Sequence, residues 1–360
     1  MSWVPLRGTL ACYPGLVIFG TRGLHSVRRS ASAVRRTLPN KVCPLVAGFS
    51  EANAVPTAYV THPSFLLHEM GPYHPECPDR LTAIGDRLIS AGLDSYLRHY
   101  SAPAATDDQL ARVHNREYIK LIEAEAPMTG LHFLDPDTAM NPHSLAAARH
   151  AAGAVILATD LVLSGECRNA FCAVRPPGHH AEPARAMGFC LFNNVAVGAA
   201  HALANGLERV AVVDFDVHHG NGTESMFTND PRVLMVSTFQ HPLYPYCGLD
   251  NPSPNMVNIP LSAGTGGKGF RQAVTDHWMP ALERHRPEML FVSAGFDAHR
   301  EDPLAGLKLV EDDYAWVTRE LIGVASRFAR HRIVSSLEGG YGLSALGRSA
   351  AEHVRELLAA

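Results

Sequence analysis

The chain has 360 residues, 46% of them hydrophobic and 18% charged, which is typical of a globular protein with a sizeable core. Residues 1–50 carry seven basic and no acidic side chains, so the rest of the chain has a net charge of −11, which argues against a broad nucleic-acid-binding surface. No apolar run reaches the roughly 18 residues of a membrane span, because the longest candidate, residues 154–163, is interrupted by Asp160.

The basic N-terminal stretch contains serines and has the composition of an organelle transit peptide, which would direct the chain to a mitochondrion or plastid. Alternatively, this stretch is a disordered extension, or it results from a start codon assigned too far upstream. In either case we expect the protein to be cytoplasmic. The seven cysteines are odd in number and form no C-x-x-C pair, which favours a reducing compartment. We expect residues 1–55 to be an extension and residues 56–360 to form the folded domain.

From Thr57 onward, predicted strands and helices alternate. The first strand covers residues 57–62, and a helix follows over residues 77–93, with Pro78 near its start and Gly92 near its end. Further strands are predicted at 170–174, 209–215, 232–238, 288–294 and 332–338, and further helices at 144–165, 193–206, 270–285 and 312–329.

Most of the predicted strands after the first are continuous Val-, Ile- and Leu-rich runs separated by helices. This pattern predicts a parallel sheet covered by helices on both faces, and thus a single α/β domain. Ligands of open parallel sheets bind at the carboxyl ends of the strands. The polar clusters of this chain follow those ends, so they are the candidate site.

The first cluster is VVDFDVHHGNG, residues 212–222. Side chains alternate along a strand, so Asp214, Asp216 and His218 are expected to point the same way. Carboxylate oxygens and imidazole nitrogens both suit Zn²⁺. A single Asp–His pair would more often be a structural hydrogen bond, but this denser series favours a metal.

A third ligand is offered by Asp297 in SAGFDAH, at the end of another apolar run. Asp216, His218 and Asp297 would leave one coordination position open, as at a catalytic zinc. His299 is a further candidate ligand. The alternative is that its side chain faces solvent.

Two more clusters carry candidate acid and base groups. RPPGHH presents His179 and His180 on a loop that two prolines and a glycine make rigid, and adjacent imidazoles in such a place suit proton transfer. In LEGGYG, Gly339 and Gly340 let the backbone turn sharply just before Tyr341.

Together, RPPGHHA, GFCLFNN, DFDVHHGNGT, SAGFDAH, DPLAG and LEGGYG resemble, in order, the motif series of the histone deacetylase family, and HPECPDRL resembles its first loop. That family includes acetylpolyamine amidohydrolases and bacterial deacetylase-like amidohydrolases. The resemblance covers about residues 57 to 358. It implies an arginase-like α/β fold with an eight-stranded parallel sheet, a catalytic domain over residues 56–360 and Zn²⁺-dependent deacetylation.

The resemblance also implies roles for single residues. Asp216, His218 and Asp297 would hold one zinc ion. His179 and His180 match the tandem catalytic histidines, with Asp214 orienting the first. Asn221 stands beside the second histidine, where other members have Asp, and resembles the class II-like branch and many bacterial relatives.

Tyr341 matches the catalytic tyrosine of the family. Gly188, Phe189 and Tyr244 match the substrate tunnel, whose second aromatic wall is Phe in many relatives. Asp214 and Ser237 fall where the family binds a monovalent cation, usually K⁺. His219 has no counterpart role, and we expect it to be structural.

These residues predict an amidohydrolase that removes an acetyl group from acetyllysine, an acetylpolyamine or a similar N-acetyl amine. One alternative is a binuclear metal ureohydrolase, which shares the arginase-like fold but needs more His and Asp ligands. A second alternative is an acyl-lysine-binding protein without turnover. The presence of Tyr341 argues against it, since loss of this tyrosine weakens deacetylation in the family.

Overall fold

The structure is a computed structural model that describes residues 55–250 and 253–360. The predicted extension, residues 1–55, lies outside this part of the chain except for Val55. The five cysteines within the described residues are free and form no disulfide.

The described strands belong to one large sheet and one small hairpin. They are β1 (Thr57–Thr61), β2 (Leu97–Ser101), β3 (His132–Asp135), β4 (Thr138–Met140), β5 (Asn169–Cys172), β6 (Val210–Asp214), β7 (Val233–Gln240), β8 (Met256–Leu261), β9 (Leu290–Ala294) and β10 (Ile333–Leu337).

The α-helices are α1 (Asp79–Ser90), α2 (Asp107–Leu110), α3 (Arg116–Ala124), α4 (Ser144–Ser164), α5 (Asn194–Ala204), α6 (Asn221–Phe227), α7 (Gly267–Ala273), α8 (Met279–His285), α9 (Glu311–Phe328) and α10 (Leu343–Ala359). A π-helical turn, Val274–Trp278, joins α7 to α8, and short 3₁₀ turns cover Pro63–Leu66 and Asp94–Tyr96.

The large sheet has eight strands in the order β2-β1-β5-β10-β9-β6-β7-β8, and every neighbouring pair is parallel. This confirms the predicted α/β class and the eight-stranded parallel sheet. Five neighbouring strands of the sheet are buried along their whole length, as their continuous apolar runs predict: β5, β10, β9, β6 and β7.

Helices cover both faces of the sheet. Phe171 packs edge-to-face against His353 of α10, with ring centroids 5.8 Å apart, whereas Sγ of the next residue, Cys172, lies 3.6 Å from the carbonyl oxygen of Ala154 in α4. Neighbouring strand residues point to opposite faces, so α10 and α4 pack on opposite sides.

Helix α4 ends where the sequence predicts, at Gly165, which adopts a left-handed conformation with φ of 78°. By length and composition, α4 is the one helix among the described residues that could cross a membrane, although Arg149 and Asp160 interrupt its apolar run. The Asp160 carboxylate lies 2.7 Å from Nε2 of His201 in α5. Most of α4 is buried inside the protein, as in a core helix, so its composition is weak support for a membrane span.

Candidate active site

The predicted site residues meet at the carboxyl edge of the sheet. Strand β6 ends at Asp214, so alternation along the strand does not explain the placement of Asp216 and His218. Both lie in the loop that follows. The loop folds back because the amide of Asp216 donates to Oδ1 of Asp214 at 3.1 Å and the amide of His218 donates to Oδ1 of Asp216 at 2.8 Å.

Asp216, His218 and Asp297 each offer a ligand atom, and these atoms lie within 4.8 Å of one another. Nδ1 of His218 is 3.0 Å from Oδ1 of Asp216 and 3.2 Å from Oδ2 of Asp297. Asp297 comes from the loop after β9, the strand next to β6, as expected for a third ligand. Asp216, His218 and Asp297 form the one group of three such ligands found in the part of the chain that the structure describes.

The donor set fits a divalent cation. Oδ2 of Asp297 is buried and receives no well-formed hydrogen bond from a described residue. Burial and the nearby carboxylate of Asp216 raise the pKa of Asp297 to about 7. Two buried carboxylates this close are costly when both are ionised, and a cation between them removes that cost.

The turn after β10 leaves space for these carboxylates. A Cβ on Gly339 would lie 2.0 Å from Oδ2 of Asp297 and 2.7 Å from Oδ2 of Asp216, while its amide donates to Asp216 at 2.8 Å. The sequence predicted that both glycines serve the turn, but only Gly340 has a positive φ, 122°. Gly339 is required for space.

The two residues proposed for a monovalent cation are neighbours. Asp214 on β6 is in register with Ser237 on β7. Oγ of Ser237 is buried and has no hydrogen-bond partner among the described residues, which leaves it available to a cation. Both oxygens of Asp214 already accept one hydrogen bond, from Asp216 and His179, so K⁺ at this position stays a prediction.

His179 and His180 are buried side by side, with ring centroids 4.0 Å apart, and each Nδ1 has a different partner. Nδ1 of His179 is 3.0 Å from Oδ2 of Asp214, and Nδ1 of His180 is 2.8 Å from Oδ1 of Asn221. Burial alone would lower the pKa of His179, but the carboxylates of Asp216 and Asp214 raise it to about 10.

His180 has the opposite character. Burial, followed by the neighbouring rings of His179 and His218, lowers its pKa well below the usual value. These surroundings favour the protonated form of His179 and the neutral form of His180, which is the difference that a proton donor and a proton acceptor require.

The aromatic residues enclose the two sides of the site. The Phe189 ring lies 5.9 Å from that of Tyr341, and the Tyr244 ring lies 5.2 Å from that of His180 and 6.3 Å from that of His218. Gly188 has φ of 57°, and a Cβ there would lie 2.4 Å from the His180 ring. The structure therefore places Gly188 and Tyr244 against the ring of His180, and Phe189 against the ring of Tyr341.

A buried ionic network behind the site was not identified from the sequence. Glu76, Arg80 and Arg175 are all fully buried, and the Glu76 carboxylate contacts both guanidinium groups. Arg80 donates to the carbonyl oxygens of Gly340 (2.7 Å) and Glu338, and so fixes the turn that carries Tyr341. The available signal was that HPECPDRL and RPPGHHA each place charged residues beside prolines.

Two histidines that the sequence left open are structural. His219 is buried and hydrogen-bonded to the carboxylate of Glu224, as expected. His299 is 1% exposed and is not part of the Asp216-His218-Asp297 group, so it neither faces solvent nor joins the ligands. Its Nδ1 accepts from the amide of Glu301, and its Nε2 lies 3.5 Å from Glu311.

A parallel α/β sheet whose carboxyl edge carries an Asp-His-Asp group beside two imidazoles is typical of metal-dependent hydrolases. Residues 74–357 match the Histone deacetylase domain. The chain is 40% identical to the histone deacetylase-like amidohydrolase of Pseudomonas aeruginosa, covering 74% of this chain and 72% of that protein. It is 38% identical to the probable deacetylase of Archaeoglobus fulgidus, covering 79% and 81%.

Among solved structures, the crystal structure of the HDA15 HD domain superposes with a TM-score of 0.79 at 35% identity, covering 84% of this chain and 88% of that one. The chain belongs to the histone deacetylase family. Its activity class is accordingly that of a deacetylase or amidohydrolase.

Proposed function

We propose that this protein is a zinc-dependent deacetylase that hydrolyses the acetamide of acetyllysine, an acetylpolyamine or a similar linear N-acetyl amine. The observation that carries the proposal is the convergence of the Asp216-His218-Asp297 group with two imidazoles, one paired with Asp214 and the other with Asn221. Asp216, His218 and Asp297 would hold the zinc. When bound there, zinc would polarise the acetyl carbonyl and lower the pKa of water to roughly 7.

The chain's own residues would carry the proton transfers. His180, neutral in its buried position, accepts the proton of the attacking water at Nε2 and returns it to the leaving amine. His179, paired with Asp214, would be the protonated partner beside it that stabilises developing negative charge. The hydroxyl of Tyr341 donates to the oxyanion as the carbonyl becomes tetrahedral.

The walls of the site favour a narrow substrate. Phe189 and Tyr244 lie on the Tyr341 side and the His180 side, respectively. Two such rings suit a slender apolar stem that ends in an acetamide, the shape shared by acetyllysine and acetylated polyamines.

The ureohydrolase alternative needs a second metal. The described residues contain a single group of three ligands with suitable spacing, which favours one ion. The non-catalytic alternative is disfavoured by Tyr341, whose turn lies against Arg80 and Phe189 at the site.

A kinetic panel with metal analysis tests the proposal. The zinc-loaded protein would be assayed for acetate release from acetyllysine peptides, acetylspermidine, acetylputrescine and small acetamides, and for urea release from guanidino compounds. We expect one zinc per chain and acetate release. Two manganese ions with urea release would establish the ureohydrolase, and binding of acetyllysine peptides without any turnover would establish the reader.

A further inference from the structure

Behind the His180–Asn221 pair lies a carboxylate with no role in the proposed chemistry. Oε1 of Glu182 accepts a hydrogen bond from Nδ2 of Asn221 at 2.9 Å. The same Nδ2 points toward the carbonyl oxygen of His180 and Sδ of Met187, each at 3.4 Å. All three neighbours of the amide nitrogen are acceptors, so the orientation of the Asn221 amide is determined by its surroundings.

This orientation fixes the tautomer of His180. With its nitrogen turned toward Glu182, Asn221 presents Oδ1 to Nδ1 of His180, 2.8 Å away. An amide oxygen only accepts, so Nδ1 of His180 must carry a proton, and in the neutral imidazole the lone pair is then on Nε2. A reversed amide would present a donor to Nδ1, move the proton to Nε2 and remove the base.

The Glu182 backbone is itself held in place. Its amide donates to the carbonyl oxygen of Arg185 at 2.9 Å, and its carbonyl oxygen accepts from Nδ1 of the buried His114 at 3.1 Å. Pro183 follows and restricts the chain further. The carboxylate therefore reaches Asn221 from a fixed point.

We propose that Glu182 is a positioning residue that sets the orientation of the Asn221 amide and thereby keeps Nε2 of His180 unprotonated. The inference rests on the proposed function only for the role of His180 as the base. It also explains the amide at position 221: an aspartate there would face Glu182 with two carboxylates at hydrogen-bond distance, and one of them would have to take up a proton.

Four variants test this coupling. Glu182→Ala removes the acceptor, so kcat should fall about 10- to 100-fold, with KM nearly unchanged. This loss is a part of the roughly 10²–10⁴-fold rate enhancement that a positioned general base supplies. Glu182→Gln keeps an acceptor oxygen and should retain most of kcat. Asn221→Asp should lose activity, and the double variant Glu182→Gln/Asn221→Asp, which exchanges the amide and the carboxylate, should regain most of it.

A readout other than activity separates the two proposals. In ¹⁵N-histidine-labelled, zinc-loaded protein, the His180 signals, assigned by their loss in His180→Ala, should show a protonated Nδ1 and a bare Nε2. Glu182→Ala should shift this tautomer, whereas Glu117→Ala, at an exposed position on α3, should not. This result holds whether or not acetamides are the substrate.

Purely additive losses in the double variant, or an unchanged His180 tautomer in Glu182→Ala, would overturn the role of Glu182. Melting temperature and zinc content measured on every variant show whether a loss of kcat comes from misfolding. If the wild type binds zinc and shows the expected tautomer but releases no acetate, the proposed function fails while the positioning role stands.

Discussion

Tyr341 is held at the site from several directions. Its amide donates to Oδ2 of Asp302 at 2.7 Å, the guanidinium of Arg80 lies 5.0 Å from its ring centroid, and Phe189 packs edge-on against it. Burial raises the pKa of its phenol well above the usual value, so the hydroxyl keeps its proton and can donate. The ring is placed by these contacts, and only the hydroxyl is free to take part in the reaction.

Tyr341→Phe should therefore leave zinc content and melting temperature unchanged. If the hydroxyl meets charge that develops during attack, kcat should fall about 10²–10³-fold, the usual loss for one oxyanion donor. KM should change much less, because the ground-state carbonyl needs the donor less than the oxyanion does. Steady-state kinetics on an acetyllysine peptide measures both, and a wild-type kcat would remove Tyr341 from the mechanism and favour the ureohydrolase again.

The two histidines should differ in their contribution to the rate. Burial favours the neutral form of His180, whereas the carboxylates of Asp216 and Asp214 favour the protonated form of His179, so His180→Ala should cost more in kcat. Loss of a general base typically costs about 10²–10⁴-fold. Single-turnover rates of the two zinc-loaded variants give the order, and the reverse order would exchange the two roles.

Residues within dense motifs could be placed from the sequence, and residues that act through them could not. Asp216, His218 and Asp297 stand out because carboxylates and imidazoles are costly at the ends of apolar strands. Arg80 and Glu182 look like ordinary surface charges in the sequence. Their importance comes from contacts with Gly340 and Asn221, at separations of 260 and 39 residues.

At the scale of the secondary-structure elements, the turn between β10 and α10 is matched to the two carboxylates. Gly339→Ala would place a methyl group against the oxygens of Asp297 and Asp216, and the ligands would have to move apart. Changes beside metal ligands typically lower metal affinity about 10- to 100-fold, and we expect a loss of that size.

The matched control is Gly323→Ala in α9, where a Cβ would meet no atom within 4 Å. That variant should bind zinc normally and gain about 0.5–1 kcal/mol of stability, because alanine suits a helix interior better than glycine. Zinc titration with a competing chelator measures both affinities. Equal affinities in the two variants would show that the turn has room to relax.

The two strands of the large sheet that the sequence missed have a common physical cause. β2 and β8 are the two edges of the large sheet, and both are only partly buried. Their sequences, LRHYS and MVNIPL, lack the long apolar runs that identified the central strands. Edge strands carry polar residues and proline, which weakens any signal from hydrophobicity alone.

Across the whole molecule, the site depends on a strand order that no local pattern contains. The loops after β5, β10, β9 and β6 supply the histidine pair, the tyrosine turn, Asp297 and the Asp216–His218 loop, and these strands are consecutive neighbours in the sheet. β9 lies between β10 and β6, although β7 and β8 separate it from β6 in the chain. The alternating pattern predicts the class of sheet, whereas long-range pairing decides which loops meet.

Because the ligands come from loops after two different strands, metal binding should be linked to the stability of the domain. A ligand that binds only the folded state at about 100 times its Kd adds about 2.7 kcal/mol. For a domain of this size, that corresponds to a rise in Tm of about 4 °C.

Wild-type protein stripped with a chelator and titrated with buffered zinc should show this rise in differential scanning calorimetry. Asp297→Ala leaves two ligands, Asp216 and His218, which cannot hold a catalytic zinc well, so its Tm should not respond and acetate release should be abolished. Asp86→Ala, at an exposed position on α1, controls for the loss of one acidic side chain and should respond as the wild type does. A zinc-dependent rise in Tm of equal size in Asp297→Ala would place the metal elsewhere in the protein.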